Sequence, residues 1–257
     1  MRKHVLSVIL VSAAFAPAMA SAQQAASEHT VTGNMMIASD YRFRGISQTF
    51  KLPAIQGGID YSHASGIYVG NWDSSVSGLS YANGAGIEMD FYGGWKGAVA
   101  PDVTLDVGLL QYYYPGAKIV IGTGDEKYDT LEAYVAASYK WVSVKYSHAI
   151  SDFFGLTTDN GGNNSKGSNY LDISASYEVM PKLTLAAHVG KQKVKNYSSL
   201  DYTDYKLGVT YDMSGWMLGA AYISTNADKN FYTLVDGAGK SKEIGKGGLV
   251  LSVAKSF

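Results

Sequence analysis

Ser39-Asp40-Tyr41-Arg42-Phe43-Arg44-Gly45-Ile46-Ser47-Gln48-Thr49 is the stretch on which the reading of the fold turns. With the residues before it, it sorts at period two into Val31, Met35, Ile37, Tyr41 and Phe43 on one face and Asn34, Asp40, Arg42 and Arg44 on the other. In a soluble sandwich the charged face would look into bulk water. In a transmembrane barrel it looks into the lumen while the apolar and aromatic face meets lipid. The rest of the chain has to choose between these.

Residues 1–22 carry Arg2 and Lys3, an apolar run from Val5 to Val11 and the small end Ala20-Ser21-Ala22, the three-part plan of a cleaved secretory signal peptide. Residues 23–257 are then expected to form one domain. The formal charge of −1 falls to −3 once Arg2 and Lys3 leave with the leader, which gives no electrostatic footing for nucleic acid. An exported chain without cysteine has neither a disulfide framework nor a thiolate metal site. Twenty tyrosines and twenty-nine glycines stand against five prolines, and past the leader no apolar run is long enough for a membrane helix. A membrane protein without such helices must be a closed barrel, because only closure pairs every strand edge in lipid.

Apolar alternation marks about twelve strands, an even number as bacterial outer-membrane barrels require. They are residues 30–44, 54–62, 66–74, 85–95, 102–114, 128–139, 141–150, 169–179, 183–193, 203–212, 216–224 and 248–257. The connections alternate in length: 63–65, 96–101, the junction near Lys140, 180–182 and 213–215 are short, whereas 45–53, 75–84, 115–127, 151–168, 194–202 and 225–247 are long. That alternation predicts short periplasmic turns and long extracellular loops. The expected fold is all-β, a transmembrane antiparallel up-and-down β-barrel in the outer membrane with its lipid as first partner.

Within the strands, Ile87, Met89, Phe91 and Trp95 alternate with Glu88, Asp90, Tyr92 and Lys96, one set suited to hydrocarbon and the other to water. In the strand 66–74 the two faces compete, and Tyr68 and Trp72 are assigned to lipid over Ile67 and Val69, with Trp72 in an aromatic girdle. The last strand turns Leu249, Leu251 and Val253 outward and ends on Phe257. Such an ending resembles the C-terminal signal that the barrel-assembly machinery reads in outer-membrane proteins. Lys255 departs from it, and at the rim its amine can snorkel to headgroups.

Asn34, the run Ser39 to Thr49, Pro53-Ala54, Gln56-Gly57 and Gly66-Ile67-Tyr68-Val69-Gly70-Asn71-Trp72 together resemble the N-terminal signature of the TorF-type porin family, long filed as proteobacterial proteins of unknown function. Glu88, Asp90, Tyr92 and Gly94 continue it. The resemblance covers the first third of the mature chain and implies an outer-membrane porin-like protein without a settled substrate.

Arg42 and Arg44 are the leading site candidates. Hairpin symmetry would set Arg42 across from Gln56 and Asp40 across from Gly58, where the glycine leaves a gap. A guanidinium held near Glu88 or Asp90 would fix charge across a pore. Asp60, Asp106, Lys145 and Lys206 complete the lumen-facing candidates. The same groups serve equally as ion pairs that stiffen the wall, and that alternative stands open. No catalytic, metal or cofactor site is expected: His29, His63, His148 and His188 sit on separate segments without zinc-like spacing. His148 is followed by Ala149-Ile150 rather than by the nearby serine of barrel phospholipases. Loops 122–126 and 159–164 offer oxygens to calcium but read more simply as loop tips. The function expected is a channel for passive diffusion of small hydrophilic solutes or ions; the alternative is a non-conducting barrel that binds an external ligand or surface through its long loops.

Overall fold

The computed structural model describes residues 28–81, 85–121, 124–158 and 162–257. The expected leader lies outside these residues, as do parts of the loops 122–126 and 159–164. Twelve strands close into a single antiparallel barrel. They are β1 (His29–Ala38), β2 (Ala54–His63), β3 (Ile67–Ser75), β4 (Ile87–Ala100), β5 (Val103–Tyr113) and β6 (Thr130–Tyr139). The other half holds β7 (Val142–Ala149), β8 (Asn169–Met180), β9 (Leu183–Lys193), β10 (Tyr202–Met213), β11 (Trp216–Thr225) and β12 (Gly248–Ser256). Each strand pairs with its chain neighbours, and β12 closes on β1 from Asn34↔Ser256 to Ala38↔Ser252. Connections at one rim are tight turns and at the other long loops, as the sequence predicts.

The outside is apolar and the inside polar. Val31, Ile37, Ile55, Ile59, Leu207, Leu249 and Leu251 are exposed outward, while Gln56, Glu88, Glu132 and Asp204 are buried within. An apolar surface wrapping a whole barrel has no place in water. Near the short turns, Tyr139, Trp141, Tyr177, Tyr211, Trp216 and Phe257 form an outward aromatic belt, the amphipathic ring expected at a headgroup boundary. Lys255 is accommodated there: its amine sits 4.8 Å over the Trp216 ring.

Three expectations are corrected. β1 stops at Ala38, six residues short of Arg44, and Tyr41 and Phe43 are buried inside the barrel. Beyond Ala38 the chain enters the barrel, where Arg44 and Gly45 both take positive φ, +46° and +82°, making a two-residue turn between the paired dipeptides Arg42–Phe43 and Ile46–Ser47. Positive φ at both central positions is the turn geometry that matches strand twist. In consequence Gln56 faces Met36 and Gly58 faces Asn34, so neither Arg42 nor Asp40 stands opposite them. Gly58 leaves no gap, since a β-carbon there would come within 2.2 Å of the Asn71 carbonyl oxygen. The facing of β3 is also reversed: Ile67 and Val69 are 57% and 56% exposed to the outside, whereas Trp72 is 6% exposed and turned in. The lumen accepts Trp72 because the inward hairpin supplies Tyr41 to pack on it, edge to face at 5.4 Å.

Candidate functional site

The hairpin at residues 41–48 is tied to itself before it touches the wall. Asp40 Oδ2 accepts from Arg42 Nε at 2.5 Å and its Oδ1 from Ser47 Oγ at 2.6 Å and Thr49 Oγ1 at 3.2 Å. Arg42 then reaches the last long loop, donating from Nη1 to the carbonyls of Ile244 and Lys246 at 3.0 and 3.2 Å. It is a strap between two loops. At the tip, Gly45 is needed twice over: its φ is positive, and a β-carbon would come within 2.5 Å of Thr225 and 2.7 Å of Asp204.

From this base the hairpin crosses the lumen. Arg44 Nη2 donates to Glu132 Oε2 on β6 at 2.7 Å and Nη1 to Gln192 Oε1 on β9 at 2.8 Å, with its guanidinium 4.3 Å over the Tyr170 ring of β8. Glu132 belongs to a strand five places round the ring from β1. Tyr41 donates to Glu88 Oε1 at 2.5 Å and Tyr114 to Glu88 Oε2 at 2.7 Å. Burial, and then the Glu88 charge, push the Tyr41 hydroxyl well above its ordinary range, so it remains a donor. Phe43 packs edge-on to Tyr112 and Phe154 at 5.4 and 5.7 Å. Here Glu88 is met by a tyrosine of the hairpin and Arg44 by Glu132, whereas the sequence pairs the arginines with Glu88 or Asp90. Asp90 Oδ1, Glu132 Oε1, Arg44 Nε and Gln56 Oε1 are buried without a hydrogen-bond partner among the described residues.

Toward the short-turn rim the lumen is lined by half-buried polar groups. Tyr92 donates to Asp60, Tyr68 to Asp106 at 2.6 Å, and Tyr68 and Tyr134 share a short hydroxyl contact. Lys145 stands 3.9 Å over the Tyr134 ring, and Lys206 lies opposite His188. His188, absent from the sequence candidates, bridges two carboxylates: Nδ1 is 2.5 Å from Asp172 and Nε2 2.7 Å from Asp204. Ser174 Oγ is 3.2 Å from Nδ1, yet with a carboxylate at each ring nitrogen neither is left to take its proton. Strand parity carried the signal for His188, which alternates with Ala187 and Val189 and shares its face with Gly190 and Gln192. Tyr41 carried none, because an aromatic at that parity reads as lipid-facing.

A family model covers residues 22–257, and its description is a bacterial protein of unknown function. The chain belongs to the Gcw_chp family. No curated protein matches it. Among solved structures, the KdgM porin in complex with disordered oligogalacturonate superposes with a TM-score of 0.53 at 7% identity, over 89% of this chain and 99% of that one. The NanC porin gives the same TM-score at 11% identity with the same coverage of both chains. This Gcw_chp chain thus shares the twelve-stranded barrel of outer-membrane porins, a likeness of fold.

Proposed function

We propose that the chain is an outer-membrane porin-like channel for small hydrophilic solutes or ions, exported by the leader at residues 1–22 and assembled through the terminal Phe257 by the barrel-assembly machinery. Short turns face the periplasm and long loops the exterior. The observation that carries the reading is the Arg44 tip seated across the lumen on Glu132 and Gln192, which makes the first loop the constriction. Buried polar atoms left over at Asp90, Glu132 and Arg44 call for water or a polar solute beside the hairpin, because buried polar groups are costly unpaired. The resemblance to TorF-type porins supports the same reading, as does the barrel shared with KdgM and NanC porins.

The second reading, a non-conducting barrel that binds through its loops, draws on the near-complete burial of Tyr41, Arg44, Ser47 and Phe50, which leaves little open space at the outer mouth. Single-channel recording in planar bilayers separates the two. The parent should give small discrete steps, and a variant with residues 41–48 replaced by a short Gly-Ser link should give steps several times larger. Two barrels that both resist heat on a gel and both stay silent would establish the second reading.

A further inference from the structure

We propose that Glu28, His29 and His63 form a site for a borderline divalent cation of the Zn2+ type at the short-turn rim, outside the lumen. Two of the histidines that look scattered in sequence are brought together by the β1–β2 register, in which His29 stands directly opposite His63. Their ring centroids are 5.1 Å apart. Glu28 Oε1 is 3.1 Å from His63 Nε2, and one ligating atom from each of the three residues lies within 4.8 Å of the others. Tetrahedral Zn2+ with bonds of roughly 2.0–2.1 Å holds its ligands about 3.3 Å apart. Glu28 and His63 already meet that spacing. The remaining closure needs only small side-chain rotations at a rim where Glu28 is 70% exposed.

Two features beyond the cluster suit metal binding. A ligating imidazole works best when its other nitrogen is held by a neighbour that fixes ring and tautomer. The Tyr61 hydroxyl is 2.8 Å from His29 Nδ1, and Ser65 Oγ is 2.7 Å from His63 Nδ1. The Ser65 amide donates to His63 Nδ1 at 3.1 Å; when His63 turns its Nε2 lone pair to the ion that bond gives way to Nδ1–H donating to Ser65 Oγ, and a carboxylate and two neutral imidazoles are hard-to-borderline donors matched to Zn2+. Backbone order supplies the second feature. The Ala64 amide donates to the Glu28 carbonyl at 2.9 Å, so the ladder extends past His29 and the carboxylate starts from a fixed position.

Strand parity sets His29, Val31, Tyr61 and His63 on the outward face. His63 is two residues beyond Tyr61 toward the turn, about 6–7 Å along the strand. That puts the site in the headgroup layer, wet enough to be reached by a hydrated ion and leaving a fourth position for water. Because the lumen takes no part, the site is independent of conduction.

The test is calorimetric titration of Zn2+ into the folded barrel in detergent. The parent should bind one ion per chain; His29→Ala and His63→Ala should each weaken binding a hundredfold or more, and Glu28→Gln at least tenfold. Tyr61→Phe, which removes only the hydroxyl that orients His29, should cost about tenfold, whereas His148→Ala should bind as the parent does. Heat-modifiable migration on a gel confirms that each variant is folded. No binding by the parent, or undiminished binding by the His29→Ala/His63→Ala double variant, would overturn the site, the latter by assigning the ion to the lumen carboxylates.

Discussion

Arg44 is the residue on which the hairpin's position depends. Its side chain and that of Glu132 are each 1% exposed, and removing one member of a buried pair leaves an uncompensated charge at a cost of about 3–5 kcal/mol. No barrel ladder bond passes through Arg44, so that cost falls on the docked hairpin rather than on the wall. Arg44→Gln should release the hairpin, making the bond after Arg42 or Lys51 accessible to trypsin while the barrel remains resistant. Adding Glu132→Gln should restore much of the protection, because it replaces a stranded carboxylate by a neutral amide. Arg44→Gln as resistant as the parent would mean that Phe43 and Tyr41 dock the hairpin without it. That Arg44 is lumenal was legible from its charge; its partners were not, since Glu132 and Gln192 are 88 and 148 residues away and share no local pattern with it.

At the scale of elements, period-two alternation carried most of the barrel, because a wall with lipid on one side and water on the other forces the two faces to differ in chemistry. It failed where the lumen itself is aromatic. Trp72, Tyr41, Tyr112 and Tyr114 pack inside as one cluster, and alternation alone cannot tell an aromatic that meets lipid from one that meets an inward loop. The Ser39–Thr49 stretch misled for the same reason, its alternation continuing after the ladder ends at Ala38; the one contrary signal was Arg44-Gly45, a pair suited to a tight turn. The reversed facing of β3 is open to measurement. Val69→Arg should destabilise the barrel against denaturant by about 2–4 kcal/mol, as should Val107→Arg on the outward face of β5, because charge on the lipid face is costly at mid-membrane. Tyr68, which shares the inward face with Trp72 and donates to Asp106 at 2.6 Å, should accept arginine at much smaller cost. Equal tolerance of arginine at Val69 and Tyr68 would remove the assigned facing.

For the whole molecule, the lumen is a charged wall with the docked hairpin toward one end, and in the proposed channel the distribution of charge decides what passes. β2, β4 and β5 contribute Asp60, Glu88, Asp90 and Asp106 with Lys96 as their one base, whereas Lys145, His188 and Lys206 stand on β7, β9 and β10 among Asp172 and Asp204. The hairpin adds Arg42, paired with Asp40, and Arg44, paired with Glu132 on β6. With Arg42→Gln and Arg44→Gln together, Asp40 and Glu132 lose the cations that face them, and fixed wall charge sets which ions concentrate in a narrow pore. Reversal potential under a salt gradient should therefore move toward cation selectivity. The shift should be larger in dilute salt, because the Debye length falls from about 30 Å at 0.01 M to about 3 Å at 1 M. A change in pore size alone would raise conductance at every salt concentration and leave the reversal potential nearly still. A double variant that conducts with the parent's reversal potential at low salt would make the two arginines struts that hold a loop, and would leave the acids of β2, β4 and β5 to set selectivity by themselves.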